Sequence, residues 1–238
     1  MMSHTLKIAQ RALLMAGCVS LLLATSASSA SAAAAGTDES PAKNTRWVDA
    51  SEKNVALGKA TYGLCMACHG EGAAGRIGIG PRIASESYLA AASDDFLART
   101  IRKGRTATTM IPWEAILNDQ QVEAVIAYLR SLEPVAPARL DESALKGVPE
   151  NGERIFRAVC SGCHGRSGAG YQETANGTGI GRKAFLDSAS NGFIRYIVSH
   201  GKSQTKMRGF ASQNITAVAN LSDQEIDDTI AYLRANAW

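Results

Sequence analysis

Two stretches of the chain carry apolar residues at the spacing of an amphipathic helix. The apolar positions are Val122, Val125, Ile126 and Leu129 in the first stretch, and Ile226, Ile230 and Leu233 in the second. A capping-box pattern precedes each stretch, Asn118-x-x-Gln121 before the first and Ser222-x-x-Glu225 before the second. In such a box each side chain bonds the backbone N–H of the other residue. The pattern therefore predicts two helices that begin just after Asn118 and Ser222.

Shorter apolar patterns predict two further helices in each half of the chain. One pair covers residues 55–62 and 153–159, and the other covers 94–103 and 193–200. A glycine, the usual residue at the left-handed end of a helix, follows each member of the second pair. No segment alternates apolar and polar residues as a strand does, so the pattern predicts an all-α fold.

The two halves of the chain repeat one unit of about 80–90 residues. The matching positions are Phe96 and Phe193, Gly104 and Gly201, Met110 and Met207, and the sequence Ile-Ala-Tyr-Leu-Arg at 126–130 and 230–234. Phe and Met are 14 positions apart in both copies. We therefore expect two tandem domains, at residues 51–133 and 151–238. Prolines in the stretch 134–150 favour an extended, fairly stiff linker between them.

The first 35 residues have the order of a secretory signal peptide. Lys7 and Arg11 give a basic start, and residues 12–24 are mostly apolar. Sites with two small residues separated by one position follow at 30–35. The apolar run is shorter than the roughly 20 residues of a membrane span, although an uncleaved N-terminal anchor stays open. We expect a flexible polar leader at 36–50 and no transmembrane segment in the mature chain.

Removal of the signal segment leaves a nearly neutral chain. It takes away two of the 25 Lys and Arg residues and none of the 22 Asp and Glu residues, which leaves 23 against 22. This balance gives no reason to expect nucleic-acid binding.

Four of the five cysteines form two Cys-x-x-Cys-His motifs. The motif residues are Cys65, Cys68 and His69 in the first copy, and Cys160, Cys163 and His164 in the second. Residues i and i+3 share one face of a helical turn, so both thiols can add to the two vinyl groups of one haem. The His that follows is then carried under the iron. We therefore predict two covalently attached haem c groups, each bound by two Cys and ligated by one His.

Three other interpretations of the cysteine motifs compete. A structural zinc site needs four ligands, which the two motifs could supply together, but this leaves the adjacent histidines and the repeat unexplained. A redox dithiol is expected after a strand in an α/β pattern, which is absent here. Disulfides in an exported protein would not need a His at either position.

Two methionines are the candidates for the second axial ligand of each iron. After residue 35 the chain contains three Met, of which Met66 lies inside the first motif and cannot reach the other haem face. Met110 and Met207 occupy equivalent polar loops, where a Met that only fills a core is less natural. Ligation by His and Met raises the reduction potential. His200 remains an alternative to Met207; otherwise it is a solvent-facing His that suits a helix C-terminus.

These residues resemble the class I cytochrome c family. The resemblance rests on Gly-x-x-x-aromatic before each motif, Gly-x-Gly-Pro at 78–81, Met110-Ile-Pro-Trp113 and the final Tyr-Leu helix. The tandem arrangement is similar to soluble two-haem cytochromes, and the domains are similar to those of the cytochrome subunit of cbb-type oxidases. The resemblance implies about three helices per domain, with loops wrapped round a haem.

The same resemblance implies roles for several matched residues. Gly58 and Gly152 should let the first and last helices of each domain cross closely, with Tyr62 and Phe156 packed at the crossings. The carbonyl of Pro81 should accept the Nδ1–H of the first motif's His and so orient its imidazole.

The second domain departs from this pattern. Residues 179–183 match 78–82, so Arg182 stands where the first domain has Pro81, and the loop after the second motif is six residues longer. The segment that follows Met207 is seven residues longer and lacks the proline. We therefore expect the two haems to differ in environment and in reduction potential.

These features predict an electron carrier rather than an enzyme, because two protein ligands on each iron leave no site for a substrate. The expected partners are redox proteins, as donor and acceptor: a quinol-oxidising complex, a periplasmic dehydrogenase, or a terminal oxidase or reductase. The expected location is the periplasm, either free or at a membrane complex. The alternative is a dihaem oxidoreductase with catalysis at the second haem, peroxidase-like or sulfur-compound oxidising.

Overall fold

The computed structural model describes residues 44–213 and 219–238, which belong to one compact unit. The predicted signal peptide, 1–35, and the start of the leader lie outside these residues. Within the described ranges no strand occurs, and strand-like pairing is limited to three isolated bridges. The predicted all-α class is therefore confirmed. None of the described helices is long and apolar enough to cross a membrane.

The described α-helices divide equally between the two halves. The first half contains α1 (Glu52–Tyr62), α2 (Met66–His69), α3 (Glu86–Ala91), α4 (Asp94–Lys103) and α5 (Asp119–Leu132). The second half contains α6 (Pro149–Ile155), α7 (Ser161–His164), α8 (Lys183–Leu186), α9 (Asn191–His200) and α10 (Asp223–Ala235). A π-helical turn, Phe156–Cys160, joins α6 to α7, so the predicted helix 153–159 is not one continuous α-helix.

Local signals set the ends of the long helices as predicted. Asn118 accepts a hydrogen bond from the backbone N of Gln121 at 2.9 Å, and the Gln121 side chain accepts one from Asn118 N at 3.0 Å. Ser222 begins α10 with the same capping box. Gly104 and Gly201 end α4 and α9 with φ of 63° and 77°, a region that favours glycine.

The first and last long helices of each half cross at a glycine. A Cβ on Gly58 would lie 1.8 Å from the carbonyl oxygen of Ala124 in α5, and a Cβ on Gly152 would lie 1.9 Å from that of Asp228 in α10. Aromatic pairs pack beside both crossings. Tyr62 meets Tyr128 at 5.3 Å between ring centroids, and Phe156 meets Tyr232 at 5.5 Å.

The two halves share one hydrophobic core across their contact. Phe96 of α4 and Phe193 of α9, which occupy equivalent positions in the repeat, lie 4.8 Å apart between ring centroids. Tyr88 packs edge-on against Phe193 at 5.8 Å. Each half therefore covers the other with the same helix.

The end of the N-terminal leader is held against the first half, contrary to the flexibility expected for residues 36–50. Arg46 donates to the carbonyl of Leu89 at 2.5 Å, and the backbone N of Trp47 donates to Asp94 Oδ2 at 2.7 Å. Asn44 bridges the carbonyls of Ala90 and Ala138, both at 2.8 Å. Backbone carbonyls and the Asp94 carboxylate thus order this stretch, which has no helical pattern of its own.

Asp94 should be a large contributor to the stability of the first half. Its carboxylate is fully buried and pairs with Arg130 at 2.7 Å, while Asn191 and Arg234 occupy the equivalent positions in the second half. We expect Asp94→Ala to lower the free energy of unfolding by about 3 kcal/mol or more, because it leaves a buried guanidinium unpaired. Asp94→Asn should lower the free energy of unfolding by less, since an Asn and an Arg form the equivalent contact in the second half. Urea denaturation followed by circular dichroism measures both.

The neighbouring exposed carboxylate supplies the control. Asp95→Ala should change the free energy of unfolding by less than about 1 kcal/mol. If Asp94→Ala is no more destabilising than Asp95→Ala, the buried ion pair does not have the role assigned to it.

Candidate functional site

The first cysteine motif is formed by one turn of helix directly after α1. The backbone N of Cys65 donates to the carbonyl of Tyr62 at 2.8 Å, and His69 N donates to Cys65 O at 2.9 Å. The hydroxyl of Tyr62 donates to Gly70 O at 2.9 Å and so joins both ends of the turn. This geometry places Cys65, Cys68 and His69 along one short helical segment, as the spacing predicts.

The four motif cysteines carry free thiols rather than disulfides. Burial raises the pKa of Cys65 to about 11 and that of Cys160 to about 12, and the second thiol of each pair acts in the same direction. Both groups are therefore protonated thiols at neutral pH. A redox dithiol needs a thiol that ionises easily, so these environments do not favour one.

The imidazole of His69 is oriented by the backbone of the following loop. It is 8 % exposed, and its Nδ1 lies 3.0 Å from the carbonyl oxygen of Pro81. Because a carbonyl can only accept, Nδ1 carries the proton and Nε2 keeps a lone pair for a metal. Burial lowers the pKa of His69, which favours this neutral form. The contact is the one that the family resemblance implies for Pro81.

In the second half, the matching acceptor is Thr178 rather than Arg182. His164 Nδ1 lies 2.8 Å from Thr178 O, and burial lowers the pKa of His164 as well. The glycine before each acceptor packs on its motif: a Cβ on Gly80 would lie 2.5 Å from Cys68 O, and one on Gly177 would lie 2.3 Å from Cys163 O.

This match corrects the loop length expected from the sequence. Eleven positions separate His69 from Gly80 and thirteen separate His164 from Gly177, so the second loop is longer by two residues, not six. Glycines recur at 177, 179 and 181, and only the backbone contact with the motif distinguishes the equivalent one.

Arg182 instead contacts Trp238, which binds the loop that follows the second cysteine motif. It is 3 % exposed, and its guanidinium lies 4.3 Å above the ring of Trp238. The indole N–H of Trp238 donates to Ser167 O at 2.8 Å. No periodic pattern along the chain predicts this cluster, because it joins three distant segments.

Both candidate methionines lie in loops of the same construction. The backbone N of Arg105 donates to Met110 O at 2.8 Å, and that of Lys202 donates to Met207 O at 2.9 Å. A threonine hydroxyl accepts from each Met N at 3.1 Å. The two loops therefore present Met110 and Met207 in equivalent settings after α4 and α9.

The residues of each half fit a covalently attached haem. Each half offers two thiols without a disulfide on one helical turn, an imidazole with Nε2 available, and one Met in a matching loop. Among the described residues, no cluster of three or more His, Cys, Asp and Glu side chains is arranged to hold a metal ion directly. The two thiols, the imidazole and the Met of each half together suit an iron held in a porphyrin that the thiols tether.

Family models match both halves of the chain. The model described as cytochrome C oxidase, cbb3-type, subunit III matches residues 53–129, and the model described as cytochrome c matches residues 149–237. The chain belongs to the class I c-type cytochromes. It carries two domains of this kind and so two covalently bound haem c groups, which confirms the predicted cofactors.

The cytochrome is similar to known proteins along most of its length. It is 29 % identical over 182 residues to cytochrome c4 of Thiocapsa roseopersicina, covering 72 % of this chain and 86 % of that protein. It is 34 % identical over 128 residues to FixP, a cbb3-type oxidase subunit of Bradyrhizobium diazoefficiens, covering 50 % of this chain. The chain spans only 42 % of the length of that FixP.

A solved structure shares the fold of the cytochrome. A chain of the Kuenenia stuttgartiensis reducing HAO-like protein complex aligns with a TM-score of 0.51 at 20 % identity, covering 81 % of this chain and all of that one. At this identity the likeness supports the tandem architecture alone.

His200 lies on the surface of the second cytochrome domain. Its ring stacks on Tyr196 at 4.1 Å between centroids, and its Nδ1 lies 3.0 Å from Tyr196 O. The residue lines an open surface groove together with Arg195 and Asp227, whose ion pair closes at 2.6 Å. This setting matches the solvent-facing role expected of a His at the end of a helix.

Proposed function

We propose that the cytochrome transfers single electrons between redox proteins and that both irons are closed by protein ligands. The proposed ligands are His69 and Met110 in the first domain, and His164 and Met207 in the second. When bound, each haem supplies a one-electron iron couple. The observation that carries this proposal is the equivalence of the two Met loops, because one loop construction in both domains argues for one ligand role.

The protein's own residues give this site its properties. The thiols of Cys65, Cys68, Cys160 and Cys163 would tether the two haems. The backbone acceptors on the histidine Nδ1 atoms fix each imidazole in one tautomer and one orientation. A fixed ligand geometry needs little rearrangement when the charge of the centre changes, which suits an electron carrier.

Apolar side chains around the first site favour transient protein docking there. Leu64 and Met66 flank the first Cys and are 54 % and 42 % exposed, and Ile111, next to Met110, is 51 % exposed. Ser161 and Arg208 occupy the positions that match Met66 and Ile111 in the second domain. We infer that the first domain contacts a redox partner of a respiratory or dehydrogenase chain, in an encounter of small area.

The export of this cytochrome to the periplasm is part of the proposal. It rests on the signal-like segment 1–35 and on the covalent attachment of the cofactor, which keeps haem bound in a compartment without a haem supply. Donor and acceptor would then be periplasmic or membrane-bound redox proteins.

Carbon monoxide binding tests whether both irons are closed. The reduced wild-type protein should show no rapid change in its Soret band under carbon monoxide, because both axial positions are filled. Met110→Ala should free an axial position on the first iron, and Met207→Ala should free one on the second. Met66→Ala, inside the first motif, should free neither. Stopped-flow absorbance of the reduced protein measures this, and the near-infrared Met–iron band of the oxidised protein is a second signal.

Two results would contradict this assignment. Rapid binding at one haem of the wild type would favour the oxidoreductase alternative. Opening of the second haem by His200→Ala, but not by Met207→Ala, would make His200 its ligand.

A further inference from the structure

Each domain sends one cationic side chain into the contact between the domains, from the position directly after the glycine that ends α4 or α9. The Arg105 guanidinium of the first domain lies 5.6 Å over the ring of Phe185 in the second. Lys202 Nζ of the second domain lies 4.5 Å over the ring of Tyr88 in the first. Each domain thus places one cationic side chain against an aromatic ring of the other.

The two cations differ in how their charge is satisfied. Arg105 donates to Ala184 O at 2.8 Å, Ser188 Oγ at 2.6 Å and Thr100 Oγ1 at 2.8 Å. In the described part of the chain, no carboxylate pairs with Lys202 and no hydrogen bond from its ammonium group is present. The side chain of Lys202 is only partly exposed, so its ammonium lacks the counter-charge that removal from water requires.

The segment that carries Lys202 is also held against the loop of the first domain that follows Pro81. The neighbouring Ser203 donates from its backbone N to Ser87 Oγ at 2.9 Å, and Ser203 Oγ lies 3.1 Å from Ser85 Oγ. Gln204 of the same loop accepts a hydrogen bond from Arg82, the residue that follows the Pro81 carbonyl on His69. Residues 202–204 of the second domain therefore lie against the stretch of the first domain that follows this carbonyl.

We propose that Lys202 is a counter-charge that the second domain places beside the haem of the first, where it raises that haem's reduction potential. A haem c carries carboxylate side chains, which can supply the anionic partner that the protein does not. Reduction lowers the positive charge of the centre by one, so a nearby cation favours the reduced form. This inference rests on the proposed function, because it needs a redox-active haem in the first domain.

Redox titration of the holoprotein tests the role of Lys202. Met207→His serves as a background, because imidazole in place of thioether moves the second haem to lower potential and separates the two midpoints. In that background Lys202→Gln should lower the reduction equilibrium constant of the first haem on the order of tenfold, which is about 59 mV for one electron. Lys202→Arg should restore it.

Lys206→Gln is the matched control, since it removes one positive charge from the same loop at an exposed position. It should leave the midpoint of the first haem unchanged. If the Gln variant does not accumulate, Lys202→Met also removes the charge, and it keeps an unbranched side chain of similar length.

The inference is overturned if Lys202→Gln and Lys202→Met leave the first midpoint where it is, or if Lys206→Gln shifts it equally. These results would leave the proposed electron transfer intact. If Met207→His moves neither midpoint, the ligation in the proposed function fails instead. Lys202→Gln is then titrated in the wild-type background, where one of the two midpoints must fall.

Discussion

Alanine in place of Gly152 is expected to unfold the second domain or to prevent its accumulation. The new Cβ would lie 1.9 Å from the carbonyl oxygen of Asp228, 2.4 Å from its carbonyl carbon and 2.8 Å from Tyr232 Cβ. Two of these atoms are backbone of α10, so relief requires α6 and α10 to move apart and the Phe156–Tyr232 contact to open. We expect a loss of more than about 4 kcal/mol in the free energy of unfolding, measured by urea denaturation.

Gly162→Ala is the matched control for this change. Its Cβ would meet nothing within 4 Å, and the first motif has Ala67 at the corresponding position. It should therefore stay within about 0.5 kcal/mol of the wild type. A Gly152→Ala protein as stable as Gly162→Ala would mean that α6 and α10 do not cross as closely as described.

Replacement of both cysteines of one motif should remove one haem and leave the other. Cys160→Ala with Cys163→Ala takes away both thiols that can form thioether bonds in the second domain, whereas Cys65 and Cys68 are untouched. Intact mass should fall by one haem, and haem per polypeptide should fall from two to one. The reciprocal change at Cys65 and Cys68 should remove the other haem.

Ser161→Ala, between the two cysteines, controls for disturbance of the turn itself and should keep both haems. Denaturing mass spectrometry separates covalent from merely bound haem. Survival of two covalent haems in the Cys160 and Cys163 double variant would contradict the attachment assigned to this motif.

The features that the sequence predicted correctly depend on short stretches of chain. The capping boxes at Asn118 and Ser222 and the glycine ends of α4 and α9 are decided within one helical turn, so local chemistry is sufficient. The cysteine motifs are equally local. The repeat then carries each of these assignments from one half to the other.

The features that the sequence did not predict are set by contacts between distant segments. Thr178 was missed as the acceptor for His164 because three alternating glycines offer several alignments, and only packing against Cys163 chooses one. The order of residues 44–50 depends on Asp94 and on the carbonyls of Leu89 and Ala90. Phe96 and Phe193 had the spacing of helix-core residues, but spacing alone does not reveal that they face each other.

The meeting of Phe96 with Phe193 has a consequence for how a tandem protein of this kind can originate. Equivalent residues meet in this way when two copies of a unit are related by an approximate two-fold axis, as in an isologous dimer, and the reciprocal contacts of Arg105 with Phe185 and of Lys202 with Tyr88 agree with such an axis. A single-haem ancestor with an aromatic residue at that place would already have a self-complementary face. Fusing two such genes would make a transient pair permanent with the contact surface that already existed. The two copies could then diverge in sequence while each still covered the apolar face of the other.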